Sequence, residues 1–239
     1  MGDQQLAVWF LGRAGAGKTA LARVLEAQLG FQLISGGNLL RRLADTGNGV
    51  NATKARHALD VGGTLPDRLI LKLYAAALSQ AENARCCLDG NPRNPDHFRR
   101  MCRLLQRFGY ARSNLMVVYL RVSNREVRRR FRQRKICPRC SLQTVGVRCP
   151  ICSAKTIQRG DDSQPSVIAE RHRWFSEDVH PLLKTLKTTG ALIEIDASLS
   201  FREVSRKVVM HVRNRMTTLR CNRVGAPSRK HHPTVGLIV

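Results

Sequence analysis

Long apolar stretches are missing from this 239-residue sequence, which has no run of about 18 apolar residues, the length that a membrane-spanning helix requires. We therefore expect no membrane span. The first residues also lack the basic segment, the apolar segment and the small-residue cleavage site of a secretory signal, so we expect a cytoplasmic protein. The hydrophobic content of 43% and the charged content of 24% are typical of a globular protein.

Acidic residues are scarce as well. The sequence has 17 Asp and Glu residues against 41 Lys and Arg residues, which gives a net charge of +24. No acidic residue follows Glu203, and the segment 125–135 holds seven basic residues. A surface of this charge attracts polyanions of every kind, including nucleotides, RNA and acidic membranes. The charge alone therefore does not identify the partner.

Strand and helix patterns alternate along the chain, which is typical of an α/β fold around a mainly parallel sheet. Five strands are predicted, at Leu6–Leu11, Gln32–Ile34, Arg85–Leu88, Leu115–Leu120 and Leu192–Ile195. Helices are predicted at Thr19–Leu29, Ser35–Arg42, Ala52–Leu59, Asp67–Leu78, Ser123–Arg134, Ser166–Leu186 and 201–215. Pro181 is expected to bend or break the long helix, and the segment from Asn222 onward is expected to be disordered.

A phosphate-binding loop is predicted between the first strand and the first helix. The segment Gly12–Thr19 fits G-x-x-x-x-G-K-S/T at every fixed position. Glycines let the backbone wrap around a phosphate, and the following helix adds its positive N-terminal end. Lys18 can then reach the β- and γ-phosphates, and Thr19 can ligate Mg²⁺ or its waters. The alternative, a glycine-rich turn without a ligand, is disfavoured by the flanking strand and helix.

Six further segments occur in a fixed order, namely Ser35–Arg41, Gly62–Asp67, Asp89–Arg93, Arg130–Arg134, Gln158–Asp162 and Arg171 with Pro181. They resemble, respectively, the S-T-G-D-L-L-R, G-x-x-V-P-D, D-G-F-P-R, R-L-x-x-R, Q-R-x-D-D and R-L-x-x-Y…P-L-I segments of the adenylate kinase family. The resemblance covers roughly residues 6–210. It implies a P-loop NTPase-type, five-stranded parallel sheet flanked by helices, with a monophosphate-binding helical insert and a small zinc lid.

The resemblance also implies a reaction, the reversible Mg²⁺-dependent transfer of a phosphoryl group from ATP to AMP. Little covalent chemistry is left to such an enzyme, so the site needs a phosphate loop and converging arginines. Arginine suits this task because its planar fork holds two phosphate oxygens and stays charged.

The family's roles carry over to matching positions of this sequence. The residues implied in catalysis are Lys18, Arg93, Arg134, Arg159 and Arg171. Those implied in ATP binding are Gly15, Ala16, Gly17, Lys18, Thr19, Ala20, Arg130 and Arg134, with Arg130 stacking on the base. Those implied in AMP binding are Gly36, Arg41, Gly63, Leu65, Gly90, Arg93, His97, Arg159 and Arg171. Thr19 and Asp89 are implied in holding Mg²⁺ through its waters.

Eight cysteines are present, and four of them have the spacing of a metal site. Cys137, Cys140, Cys149 and Cys152 form C-x₂-C-x₈-C-x₂-C, whose two knuckles can complete the tetrahedral thiolate site that Zn²⁺ prefers. All four positions would be filled by protein, so the zinc would be structural. A redox-active C-x-x-C and a pair of disulfides remain the alternatives.

By the resemblance, the cysteine segment is the lid. The expected divisions are a core of 1–35, 66–134 and 164–217, a monophosphate-binding insert of 36–65, a zinc lid of 135–163 and a basic tail of 218–239. A small lid has little core to bury, and zinc would supply its stability. We expect a monomer.

The sequence departs from the family at the acceptor site. Gly36, Asn38 and Asn91 replace the family's Thr, Asp and Phe, and His97 stands where a Gln reads adenine. A solvent-facing helix position is an equally good account of His97.

UMP/CMP kinases have a small residue at the Gly36 position and an Asn matching Asn94, so a UMP/CMP kinase is one alternative. Another is an RNA-binding protein on a degenerate kinase scaffold, and an enzyme of this charge could also contact RNA or another polyanion non-specifically.

Overall fold

The structure is a computed structural model of the chain. It describes residues 5–81, 84–90, 92, 94–139, 143–150, 152–158, 165–188 and 192–224. Within these residues, no helix is long and apolar enough to cross a membrane.

A five-stranded sheet forms the centre of the molecule. Its strands are β1 (Leu6–Gly12), β2 (Gln32–Ser35), β3 (Arg85–Asp89), β4 (Leu115–Arg121) and β8 (Leu192–Asp196), in the order β2-β3-β1-β4-β8. Every neighbouring pair is parallel. All seven residues of β1 are buried, because a central parallel strand is covered on both faces and therefore reads as a continuous apolar run. The predicted α/β fold with a parallel five-stranded sheet is confirmed.

Helices cover both faces of this sheet. They are α1 (Lys18–Leu29), α2 (Gly36–Thr46), α3 (Gly49–Asp60), α4 (Asp67–Ser79), α5 (Pro95–Arg107), α6 (Asn124–Gln133), α7 (Pro165–Trp174), α8 (His180–Thr188) and α9 (Phe201–Val224). Side chains of β1 alternate between the two cores, so that Trp9 packs with Tyr74 of α4 and Leu182 of α8. Phe10 packs on the other face with residues of α1, α6 and α9, including Val208.

Helix α5 was missed in the sequence patterns. Its start carries a clear signal, because Asn94 caps the helix by accepting a hydrogen bond from the backbone of His97 at 2.8 Å, and Pro95 follows at the first helical position. Met101 and Leu105 are buried at helical spacing. The pattern is hard to see because four arginines are interspersed among the apolar residues of α5.

The last helix is longer than predicted. Helix α9 continues to Val224, nine residues beyond the predicted end at 215. Met216 and Leu219 continue the apolar face that packs against the core, which explains the extension. Residues 218–224 of the predicted tail are therefore helical, and residues 225–239 lie outside the described residues.

The long helix predicted at Ser166–Leu186 is interrupted, as expected from Pro181. A π-helical segment, Phe175–Val179, separates α7 from α8 immediately before this proline. Proline lacks an N–H group and crowds the carbonyl one turn earlier, so the regular helical bonding fails there.

Two smaller units stand beside the sheet. Helices α2 and α3 pack against each other between β2 and α4. Strands β5 (Lys135–Ile136), β6 (Gln143–Thr144) and β7 (Ile157–Gln158) form an antiparallel sheet in the order β6-β5-β7 between α6 and α7.

Candidate active site

The phosphate loop follows β1 at the carboxyl edge of the sheet, where parallel α/β folds bind their ligands. Gly12 has a φ of +147°, and a Cβ atom at this position would lie 2.9 Å from the carbonyl oxygen of Leu120. Only glycine therefore lets the loop leave the sheet here. Lys18 lies inside the loop, where its Nζ donates hydrogen bonds to the carbonyls of Gly12 at 2.9 Å and Arg13 at 3.0 Å.

Asp89 ends the neighbouring strand β3 and faces the loop. Thr19 Oγ1 donates to Asp89 Oδ2 at 2.5 Å, and Ser35 Oγ donates to the same oxygen at 3.3 Å. The Asp89 side chain is only 5% exposed. A buried carboxylate beside the loop threonine offers the oxygen ligands that Mg²⁺ and its waters prefer.

Electrostatics link Lys18 to two distant arginines. Burial lowers the pKa of the Lys18 ammonium, and Arg134 and Arg171 lower it further, while Asp89 opposes the shift. Cations from α1, from the end of α6 and from α7 therefore act on one position.

A single cavity of about 800 Å³ contains this position. The predicted residues that line it are Gly15, Ala16, Gly17, Lys18, Thr19, Ala20, Gly36, Arg41, Gly63, Leu65, Asp89, Gly90, Arg130, Arg134 and Arg171. Residues as far apart in sequence as Gly15 and Arg171 thus meet in one cleft, at the edge where all five strands end. Arg93 and Arg159 lie outside the described residues.

His97 differs from these residues. It does not line the cavity, and its side chain is fully buried, with Nδ1 at 3.4 Å from Asp67 Oδ1. The account of His97 as a solvent-facing helix residue is therefore wrong. Its backbone N–H donates the capping hydrogen bond to Asn94 Oδ1, and its side chain lies beside Asp67 at the start of α4.

Arg130 connects the phosphate loop to the far side of the cavity. Its Nη1 donates to the carbonyl of Ala16 at 3.3 Å and its Nη2 to the carbonyl of Ala197 at 2.5 Å. Its Nε donates to Glu126 Oε1 at 2.8 Å. Hydrogen bonds from Arg129 and then from Arg130 lower the pKa of Glu126 to about 2, so this carboxylate stays ionised and fixes the guanidinium.

The loop between β8 and α9 is a part of the cavity that the motifs did not indicate. Residues 197–201 line it beside Arg130, which donates to the carbonyl of Ala197. A signal was available, because Ser200 and Glu203 form a capping box directly after a predicted strand. Such a loop at the carboxyl end of a parallel strand lies at the ligand edge of the sheet.

The other end of the cavity is mostly apolar. Its walls come from α2, α3, α4 and the α7–α8 region and are formed by Leu39, Ala58, Leu59, Leu65, Ile70, Leu73, Tyr74, Trp174 and Val179. Arg41 is the cation at this end, and its Nη2 donates to Asn38 Oδ1 at 2.8 Å. Asn38 therefore orients Arg41. The small Gly36 lies beside them in the cavity wall.

The lid sheet brings three of the four predicted cysteines together. The Sγ atoms of Cys137, Cys149 and Cys152 all lie within 4.8 Å of one another, and those of Cys137 and Cys152 are 3.4 Å apart. Cys140 lies outside the described residues. Cys86 and Cys87 are fully buried in β3, as expected for core residues, and burial raises the pKa of both thiols.

Comparison with known proteins gives a consistent result. The adenylate kinase family model matches residues 10–191. The adenylate kinase of Chlamydia pneumoniae is 31% identical over 193 residues, which cover 78% of this chain and 88% of the relative. The adenylate kinase of Chlamydia muridarum is 31% identical over 220 residues, covering 83% of this chain and 84% of the relative.

A third relative, the adenylate kinase of Kosmotoga olearia, is 28% identical over 213 residues, covering 85% of this chain and 97% of the relative. The matched region contains the phosphate loop, Asp89 and the cavity arginines of α2, α6 and α7. From this agreement of sequence, fold and site, we conclude that the chain belongs to the adenylate kinase family.

Proposed function

We propose that the chain is a cytoplasmic, monomeric adenylate kinase that transfers the γ-phosphoryl group of ATP to AMP and forms two ADP molecules. The observation that carries this proposal is the cavity itself. It joins a phosphate loop at one end to Arg41 and an apolar pocket at the other, with Arg134 and Arg171 in its lining. Such a cleft has room for two nucleotides whose phosphates face each other.

On the ATP side, the loop residues Gly15, Gly17 and Lys18 surround the β- and γ-phosphates. The base lies against Arg130 and the loop 197–201, which are hydrogen-bonded to each other and line the same part of the cavity. Glu126 prevents the Arg130 side chain from swinging away. Ala16 and Ala20 complete the floor, and Arg134 reaches the transferring group.

On the AMP side, Arg41 holds the monophosphate, and Gly36, Gly63, Leu65 and Gly90 shape the pocket. Arg171, whose charge acts on Lys18, would stabilise the phosphoryl group in transit. Arg93 and Arg159, and also His97, are proposed for this side on the family pattern. The units 36–65 and 135–163 would act as monophosphate-binding insert and lid on the core 1–35, 66–134 and 164–217, with a basic tail from 218.

The protein's part in this reaction is to position and neutralise phosphates. Two facing polyphosphates repel each other, and fixed guanidinium groups reduce this repulsion most where charge spreads over the transferring oxygens. Closure of the lid would exclude water and so prevent simple hydrolysis of ATP.

Two metal ions fit the residues present. Thr19 and Asp89, which share a 2.5 Å hydrogen bond at the loop, would hold Mg²⁺ through its waters. When bound there, such an ion would help to neutralise the charge of the phosphates. Cys137, Cys149 and Cys152, with Cys140, would hold a structural Zn²⁺, since four cysteine sulfurs are a preferred donor set and three of them already converge.

A coupled assay of ADP production tests this function. AMP, CMP, UMP and GMP are offered in turn with ATP and Mg²⁺, and AMP is expected to be turned over fastest. Lys18→Ala should lower kcat by about 10²- to 10³-fold, because one preorganised cation at the transferring group is lost. Lys72→Ala is the matched control, since Lys72 is an exposed lysine of α4 outside the cavity.

The proposal fails if no acceptor is turned over, or if the two lysine variants behave alike. Fastest turnover of UMP or CMP would instead show that the apolar pocket selects a pyrimidine.

A further inference from the structure

A line of arginines runs along the outer surface of helix α9. Arg202, Arg206, Arg213 and Arg220 are all exposed. At 100° per residue, their spacings of 4, 7 and 7 place them within an arc of about 40° on the helix surface. At 1.5 Å per residue, this arginine stripe is about 27 Å long.

The stripe has almost no acidic residue near it in sequence. Glu203 is the only acidic residue of α9, its carboxylate accepts a hydrogen bond from Ser200, and no acidic residue follows it in the chain. Among the ion pairs of the described residues, none includes a basic residue of α9. By contrast, Arg129 of α6 is paired with Glu126, and Arg173 of α7 with Glu170 and Glu177.

The opposite face of α9 is already in use. Val204, Val208 and Val212 are buried against the sheet and α1. Of the large apolar residues of α9 that are described, only Phe201 and Met210 are exposed, and Phe201 lines the nucleotide cavity. A helix that binds in a membrane surface needs a free apolar face. The described side chains of α9, which reach residue 220, form no such face, so the charge of α9 fits a hydrophilic polyanion better than a lipid surface.

The stripe is also separate from the reaction. None of its four arginines lines the cavity. The part of the chain that matches the family model ends at residue 191, ten residues before α9 begins. The stripe can therefore bind a partner while the cavity holds its nucleotides.

We propose that the arginine stripe of α9 binds the phosphodiester backbone of a nucleic acid without regard to its sequence. Each guanidinium can hold two oxygens of one phosphate, and arginines 6 to 11 Å apart along a helix can each reach a different phosphate. Backbone contacts of this kind depend strongly on salt, because each one releases condensed counterions. Single-stranded RNA and duplex DNA present the same phosphate chemistry, so both are used as probes.

The test compares two fourfold variants of equal charge. In the first, Arg202, Arg206, Arg213 and Arg220 are all replaced by Gln. In the second, Arg99, Arg100, Arg103 and Arg107, the exposed arginines of α5 on the other face of the sheet, are replaced by Gln. Binding of a fluorescent single-stranded RNA and a duplex DNA of mixed sequence is measured at several salt concentrations. Saturating ATP or AMP, each added alone, keeps the probe out of the cavity without starting the reaction.

We expect the α9 variant to bind at least tenfold more weakly than the unchanged protein and to show a smaller salt dependence. Loss of four contacts lowers the slope of log K against log salt by roughly 3, at about 0.7 per contact for a single strand. The α5 variant should bind nearly as well as the unchanged protein. Whichever probe binds more tightly identifies the kind of nucleic acid.

Other outcomes overturn the proposal. Equal loss in both variants would show that only the total charge matters, and no binding by the unchanged protein at about 0.15 M salt would show that the stripe has no such partner. Binding to phosphatidylserine vesicles but not to either nucleic acid would identify a membrane surface instead. Thermal midpoints and ADP production check that both variants fold, and binding can be read even in a chain without kinase activity.

Discussion

Arg13, the second residue of the phosphate loop, joins the loop to helix α7. Its Nη1 lies 3.3 Å from His172 Nδ1, and its guanidinium carbon lies 4.8 Å from the centre of the Phe175 ring. The same residue's carbonyl accepts a hydrogen bond from Lys18. Because α7 also carries Arg171, Arg13 connects the loop that holds Lys18 to the helix that holds Arg171.

This contact requires a neutral imidazole, since Nδ1 must accept the hydrogen bond from Arg13. Burial lowers the pKa of His172 below its ordinary value of 6.5, and repulsion from Arg13 and Arg128 lowers it further. A second cation beside the partly buried Arg13 is thus avoided at neutral pH.

At the residue scale we predict an acid-sensitive contact. Between the lowered pKa and 6.5, the unfolded chain binds more protons than the folded chain, so the free energy of unfolding decreases as the pH falls through this interval. His172→Gln keeps an acceptor without a titrating group and should remove this part of the pH dependence. Denaturant unfolding from pH 5 to pH 7.5 measures the effect.

The same variants test the connection to catalysis. Arg13→Ala should lower kcat by roughly ten- to a hundredfold through misplacement of Lys18 and Arg171, whereas His172→Gln should retain most of the activity at neutral pH. If the stability profiles of the unchanged protein and His172→Gln are parallel below pH 6.5, the contact has no role in the acid response.

At the scale of elements, the sequence patterns predicted the strands of the sheet well, but they missed one helix and the end of another. The strand of β1 and the phosphate loop are fixed by local rules, namely a fully apolar run and glycines required by backbone geometry. Helix α5 and the end of α9 each have a narrow apolar face among many arginines. The arginines make the helical spacing of the apolar residues hard to recognise in the sequence. Their apolar faces become evident only against the packed core.

The residues of the candidate site were also predicted only in part. Arg41, Arg134 and Arg171 meet in the cavity but belong to separate segments of the chain. Only the order of the family's motifs along the sequence indicated that they converge. The loop 197–201 lies outside the family motifs, and its only sequence signal is the Ser200–Glu203 capping box, because Arg130 contacts it through the backbone carbonyl of Ala197. The burial of His97 depends on its partner in α4, which no local pattern contains.

We expect the small sheet β6-β5-β7, the proposed lid, to need a bound ion for its stability. Strands of two residues each offer little apolar surface, and Val145, Val147 and Ile157 are more than half exposed. A unit of this kind cannot form a core of its own, so the cysteine cluster must supply most of its stability.

At this scale we predict that chelation unfolds the lid before the core. Hydrogen exchange across residues 135–158 should accelerate on addition of a zinc chelator, while β1 and β4 stay protected. Cys149→Ser should have the same effect without a chelator, and Cys102→Ser, which changes a half-buried thiol of α5, should not. Purified protein that contains no zinc while its thiols are reduced would refute the metal site.

The whole molecule carries many more cations than anions, and several of the cations face one cavity. Lys18, Arg41, Arg130, Arg134 and Arg171 all line the cleft, where the described anions are Asp89 and Glu126. Without ligand, these cations repel one another, which the folded chain must tolerate. Bound nucleotides supply the missing negative charge, so ligand binding and folding are linked across the molecule.

The last prediction follows from the two ends of the cavity. At about 100 times its Kd, either nucleotide should raise the free energy of unfolding by about 2.7 kcal/mol, which corresponds to roughly 5–10 °C in Tm for a chain of this size. Lys18→Ala should reduce the shift caused by ATP and leave that caused by AMP, and Arg41→Ala should do the reverse. Thermal unfolding with each nucleotide alone measures both shifts. If either variant reduced the two shifts equally, ATP and AMP would not occupy separate ends of the cleft, because a cation lost at one end acts mainly on the phosphates nearest to it.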